Sequence, residues 1–168
     1  MHVIYSVGFA MQQLEMKILN NVTWQKPNPP PHLAGRYFTH STETLLWARI
    51  NEKAKHKYNY ELMKEENGGK QLKDVWNFTA PKKSEKSEGK HPTQKPLVLL
   101  DRIIRASTDE DATILDPFLG SGTTSVAAVL TGRNSVGIEQ EEEFCELSKK
   151  RIKWAQKELK KPQQKKFF

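Results

Sequence analysis

Asp116 to Thr124, DPFLGSGTT, holds a carboxylate, an aromatic ring, two glycines and three hydroxyls, with no lysine or arginine. Gly120 and Gly122 allow a backbone to come close to a ligand where a helix begins. A triphosphate-binding loop needs a lysine after its second glycine to reach the phosphates. Here Thr123 follows Gly122, which argues against triphosphates, and the third glycine of a dinucleotide fingerprint is absent too. Glu139 stands 23 positions after Asp116, near the ~20-residue offset at which an acid binds ribose hydroxyls.

Acids at two adjacent strand ends repel phosphate and suit a ligand that carries both a cation and a ribose. S-adenosylmethionine has an α-ammonium for Asp116 and ribose hydroxyls for Glu139. The plainer alternative is a glycine turn that only closes a strand–helix connection. The residues by themselves leave both open.

Such residues need a strand, a turn and a helix to hold them. ATILD reads as a strand, TTSVAAVL as a helix, Gly132-Arg133-Asn134 as a turn and SVGIE as a second strand. Thr113 to Glu139 is then a βαβ unit, and the class is α/β with a mainly parallel sheet. Upstream, HPTQKPLVLLDRIIRAS puts Leu97, Leu100, Ile103 and Ile104 on one helical face, with Pro96 suited to a first turn. The last helix sets Phe144, Leu147, Ile152, Ala155 and Leu159 on one side and gives its other faces to Lys and Arg. Pro162 ends it, and QQKKFF reads as a frayed tail.

At the other end, Val3 to Phe9 reads as a buried strand, QQLEMKILNN as a helix and VTWQK as a short strand. Pro27 to Pro31 interrupts regular structure, and TETLLWARI is a third apolar stretch. From Asn51 to Lys90 the composition shifts to Lys, Glu, Asn, Ser and Gly, and PKKSEKSEGK within it reads as a flexible loop.

A chain of 168 residues suits a single domain with its own core. The net charge of +7 at pH 7 favours a polyanionic partner, nucleic acid or an acidic membrane surface. A solvated basic face is the bland alternative. Cys145 is the single cysteine, which excludes an intrachain disulfide and a cysteine-rich metal site, so no metal is expected and a reducing cytoplasm is. The first residues lack the basic start of a signal peptide, and no run nears the ~20 apolar residues of a membrane span.

DPFLGSGTT preceded by HPTQKP resembles the cofactor-binding end of the amino-group DNA methyltransferases, which methylate N6 of adenine or N4 of cytosine. The likeness runs from His91 to about Ile152, and VIYSVGFAMQQLEMKILNNVTWQKPNPPP with TETLLWARI resembles the family's middle section more weakly. It implies a Rossmann-like S-adenosylmethionine-dependent fold with an incomplete parallel-rich sheet. The implied cofactor contacts are Asp116, Phe118, Gly120, Ser121, Gly122, Thr123 and Glu139, joined by His91, Thr93, Gln94, Lys95 and Pro96. Among these, Lys95 is the residue for the cofactor carboxylate, an ordinary helix-start lysine being the alternative.

The order, cofactor motif last, is that of the permuted subgroup. It implies one methyltransferase domain over 1–168, a target-recognition segment over 51–90 and a cofactor part over 91–159. There Tyr58, Tyr60, Trp76 and Phe78 lie among Lys53, Lys55, Lys57, Lys73, Lys82 and Lys83, and lysines neutralise phosphates while aromatics stack on bases. The implied partner is double-stranded DNA, with adenine favoured over cytosine, in a restriction-modification system in the cytoplasm.

One element of that family is missing. Its target base is flipped out and held by Asp/Asn/Ser-Pro-Pro-aromatic. This chain has only NPPP, Asn28 to Pro31, with no aromatic and in the wrong place, so no catalytic residue is assigned. The expectation is a chain lacking the N-terminal catalytic part and inactive alone: either a truncated or frameshifted methyltransferase, or one half of a split enzyme whose missing strands a second polypeptide supplies. A non-catalytic module binding DNA or cofactor is the alternative.

Overall fold

The computed structural model describes residues 3–160, in two compact units. One takes the chain up to His56 together with Tyr60–Thr79, and the other takes Lys57–Asn59 and everything from Ala80.

The first unit holds α1 (Ile4–Gln13), β1 (Lys17–Gln25), β2 (Thr42–Arg49), α2 (Tyr60–Glu66) and β3 (Val75–Asn77). The run from Val3 to Phe9, expected as a buried strand, is helical and α1 buries none of its side chains. A continuous apolar run fits either element. The Ala-Met-Gln-Gln that follows extends a helix, with Val7 N–H bonded to Val3 O at 3.0 Å. The expected helix QQLEMKILNN is mostly not one. It stops at Gln13, Glu15 turns the chain at φ +55°, and Lys17 already pairs with Arg49 in an antiparallel ladder.

The sheet order is β2-β1-β3, with β3 parallel to β1. Strand alternation puts Val22 and Trp24 on one face, buried at 6% and 2% exposure. Trp24 Nε1–H donates to Phe78 O at 2.8 Å, tying the end of β3 back to the central strand. Pro27 to Pro31 lies in the β1–β2 connection, outside the ladder.

The second unit holds α3 (Leu97–Ser107), β4 (Thr113–Asp116), α4 (Thr123–Leu130), β5 (Asn134–Gly137) and α5 (Glu142–Leu159). Here β4, α4 and β5 make the expected βαβ unit, paired in parallel from Thr113↔Asn134 to Asp116↔Gly137. Pro96 caps α3 just ahead of its first residue. Leu97, Ile104, Val126, Ala127, Ala128 and Ala155 form the buried core, with Leu100, Ile114 and Ile152 packed against it. Asn59 joins this unit because its Nδ2 donates to Arg105 O and Thr108 O, both at 2.8 Å.

Three expectations need correction here. PKKSEKSEGK contains a 3₁₀ turn, Lys83–Lys86, because the Glu85 carboxylate accepts from Lys82 N–H at 3.0 Å and Leu97 N–H at 2.7 Å. Leu159 is 52% exposed rather than on the inward side of α5. Arg151, expected on a solvent face, is buried. The QQKKFF tail and Pro162 lie outside the described residues. No helix among the described residues is long and apolar enough to cross a membrane.

Trp24→Phe keeps most of the ring but removes the donor to Phe78 O. The expected loss is about 1–3 kcal/mol, read as a lower urea midpoint. An unchanged midpoint would show that this bond contributes nothing to the first unit.

Candidate functional site

Asp116 is the last residue of β4, and its Oδ1 accepts the Phe118 N–H at 3.1 Å. That bond folds the chain back over the strand end and leaves the Phe118 ring 88% exposed. The turn then reaches α4 through two left-handed residues, Gly120 at φ +53° and Gly122 at φ +75°. Gly122 cannot be replaced without movement. A Cβ there would stand 2.7 Å from Ser148 Cβ and 3.0 Å from Ser148 Cα, on α5. At Gly120 a Cβ would stand 3.2 Å from His91 Nε2, so these glycines let the turn press against both α5 and the HPTQKP segment.

Glu139 follows β5, and its carboxylate reaches across to the turn. Oε2 accepts Gly120 N–H at 2.7 Å, while Oε1 accepts Gln140 N–H at 2.9 Å and Glu141 N–H at 3.1 Å. The Glu141 and Gly120 N–H groups, with a smaller contribution from the charge of His91, hold this carboxyl below its ordinary pKa. Oε1 thus accepts twice, while Oε2 keeps a further lone pair through which a hydroxyl donor can still be accepted. The acid read from the sequence as a ribose ligand is therefore also the acid that pins the glycine turn.

The HPTQKP residues divide between site and scaffold. His91 packs edge-on against Phe144, ring centroids 4.2 Å apart, and its Nδ1 accepts the Thr93 N–H at 3.2 Å. Gln94 is buried; its Nε2 donates to Glu85 O at 2.9 Å. Its Oε1 is buried and meets no donor among the described residues. Lys95 contributes its carbonyl, which accepts from Thr123 Oγ1 at 3.2 Å, and Pro96 is fully buried. Ser121 and Thr123 are buried with their hydroxyls 3.2 Å apart.

The structure thus gathers His91, Gly120, Gly122 and Glu139 about the turn, with Asp116 and Phe118 at its strand end. A cleft of about 600 Å³ lies among α4, β5 and α5, and of the expected residues Glu139 alone lines it. Sequence reasoning missed Glu85 and Arg151. Arg151 Nη1 donates to Ser121 O at 2.6 Å and Thr123 Oγ1 at 3.0 Å. The available signal was its spacing, four residues from both Leu147 and Ala155 on the inward side of α5.

A family model described as DNA methylase, for N6 and N4 methyltransferases, matches residues 2–150. The chain is 62% identical over 153 residues to the type II methyltransferase M2.LlaDCHI of Lactococcus lactis subsp. cremoris. It is 61% identical to M2.DpnII of Streptococcus pneumoniae. Each alignment covers 90% of this chain and 57% of the relative. Among solved structures, the M1.HpyAVI–SAM complex superposes with a TM-score of 0.74 at 35% identity, over 89% of this chain and 69% of that one.

The lowered pKa of Glu139 sets a sign. Its bonds to the turn stabilise the fold above the ordinary carboxylate range and are lost as pH falls through the depressed folded value. Thermal melts across the acid range should show wild type losing Tm more steeply than Glu139→Gln. Parallel curves would mean that the Glu139 charge does not hold the turn.

Proposed function

The chain belongs to the N6/N4 amino-group DNA methylase family, and from that premise we propose that it forms the cofactor side of a type II DNA methyltransferase. The family match supports S-adenosylmethionine as the methyl donor, double-stranded DNA as the substrate and a restriction-modification setting in the cytoplasm. Adenine N6 is proposed over cytosine N4. The observation that carries this reading is a glycine turn at a helix start, with an acid on either side and no cation in the loop.

The residues present fit such a cofactor. Asp116 offers a carboxylate for the α-ammonium, and the remaining lone pair on Glu139 Oε2 suits a ribose hydroxyl. Phe118 presents an aromatic face, and the buried Gln94 Oε1 awaits a donor. His91, Thr93, Lys95, Pro96, Gly120, Ser121, Gly122 and Thr123 complete the proposed site, with Lys95 for the carboxylate. When bound, S-adenosylmethionine supplies an electrophilic methyl on its sulfonium.

The acceptors that must hold the target amine are a separate matter. An exocyclic amine is a poor nucleophile, because its lone pair is delocalised into the ring. It needs a side-chain oxygen and a carbonyl to accept its hydrogens. Asn28 is exposed in the β1–β2 connection, and no Pro-Pro-aromatic run occurs in the sequence. We assign that role to residues beyond these 168, on a longer chain or on a second polypeptide, and propose that these 168 residues alone do not methylate DNA.

Two observations support an added segment. Leu115, Val136 and Ile138 on and beside the β4–β5 sheet are 63%, 53% and 56% exposed, whereas parallel sheets are normally covered on both faces. The chain also spans 57% of the length of the relatives just described. The missing motif also favours a second reading, a module that binds cofactor or DNA without catalysis.

For DNA contact the proposed segment is 51–90. Lys82 and Lys83 are exposed and Lys86 is half-buried, while the Trp76 Nε1–H is spent on Lys73 O at 2.7 Å. The lysines are therefore better placed for phosphates than this tryptophan is for hydrogen bonds to bases.

Calorimetry with S-adenosylmethionine should give binding by the wild-type chain and at least about ten-fold weaker binding by Asp116→Ala, the scale of one charged hydrogen bond. Equal affinities would remove Asp116 from the site, and a wild type preferring ATP would favour a phosphate loop. In a separate titration, replacing Lys82, Lys83 and Lys86 by Ala should flatten the salt dependence of DNA binding, each lost phosphate contact lowering the slope by about 0.9. An unchanged slope would move the contact elsewhere.

A further inference from the structure

Arg151 occupies a position where the pattern of α5 calls for an apolar side chain. It is 4% exposed, and its hydrogen bonds go to neutral acceptors, Ser121 O and Thr123 Oγ1. Burial pushes its pKa down, and the charge of Glu85 only partly offsets this. A buried cation without a directly bonded carboxylate is costly, and an apolar residue of similar volume would fill the place at lower cost. The geometry around it shows what the guanidinium does that such a residue cannot.

Ser121 C=O and Gly122 N–H belong to one planar peptide. Arg151 takes the oxygen at 2.6 Å, and Leu119 O accepts the N–H at 2.9 Å. With both ends held, the plane of that peptide is fixed, and with it the left-handed Gly122 that opens α4. Arg151 also meets Thr123 Oγ1, whose own proton goes to Lys95 O at 3.2 Å. That hydroxyl accepts on one side and donates on the other, joining α5, the turn and the HPTQKP segment in one chain of bonds. Ser148, one turn earlier on α5, packs against Gly122 from the same side.

We propose that Arg151 is a positioning residue for the cofactor: through Ser121 O and Thr123 Oγ1 it sets the glycine turn and registers the HPTQKP segment against it. This rests on the cofactor reading above, but its effect on the turn exists without any ligand. Arg151 lies behind the turn on α5 and bonds the turn rather than being assigned a cofactor contact of its own. It acts through the turn.

Arg151→Met and Arg151→Lys, each in the full chain, test this by ¹⁵N-resolved amide spectra and by calorimetry with S-adenosylmethionine, well below the melting temperature. Arg151→Met should shift the Gly120 and Gly122 amides while leaving Gly35, Gly68 and Gly69 of the other unit in place. It should weaken cofactor binding about ten-fold or more, the scale of one charge-assisted hydrogen bond. Arg151→Lys keeps the charge and one bond, and should recover part of both. If the Met variant does not fold, the Lys variant decides, since it should show the same changes on a smaller scale.

Unmoved Gly120 and Gly122 amides in a folded variant would overturn the proposal, whatever the affinity. So would a lower Tm with unchanged affinity, which marks a purely structural residue. A wild type that does not bind S-adenosylmethionine defeats the cofactor reading instead, and the glycine amides still report whether Arg151 sets the turn.

Discussion

Three residues, Gly120 to Gly122, carry the chain from the end of β4 into α4, and two of them are left-handed. Side chains with a Cβ disfavour that conformation, and at Gly122 the Cβ space is already filled by Ser148. A turn so tight holds one shape only if its polar groups are claimed on every side. Glu139 takes the Gly120 N–H, Leu119 takes the Gly122 N–H, and Arg151 takes the Ser121 oxygen. Much of the second unit serves to bring those partners to the turn.

The division of labour between the acids follows from their surroundings. Asp116 spends one oxygen on the Phe118 N–H and keeps the other. Glu139 uses both oxygens on backbone N–H groups, so it is fixed in place before any ligand arrives. A preorganised carboxylate of this kind loses little freedom on binding. The turn and the proposed ribose site are thus mechanically one object.

The βαβ unit was readable in the sequence because its signals are local: an apolar strand ending in Asp116, glycines at the turn and small helix formers after it. The family likeness added the HPTQKP segment, and the structure sets His91 against Gly120 and Lys95 O against Thr123. Val3 to Phe9 misled because uniform apolarity has no period to distinguish helix from strand. Lys17 to Asn21 read as helix because only its pairing with β2, more than twenty residues on, makes it a strand. Arg151 and Glu85 were invisible for a different reason. Pattern reading assigns charges to solvent, and only long-range partners, Ser121 for one and Leu97 for the other, turn a charge inward.

On the proposed reading these residues hold the methyl donor, and the acceptors that activate the target amine lie outside them. Transfer of a tritium-labelled methyl group from S-adenosylmethionine to DNA measures this directly, with the purified chain alone and with an added polypeptide carrying a Pro-Pro-aromatic motif. No label should reach DNA with the chain alone, and label should appear once the second polypeptide is added. Transfer by the chain alone would contradict the account, and Asn28 would then be the first residue to replace.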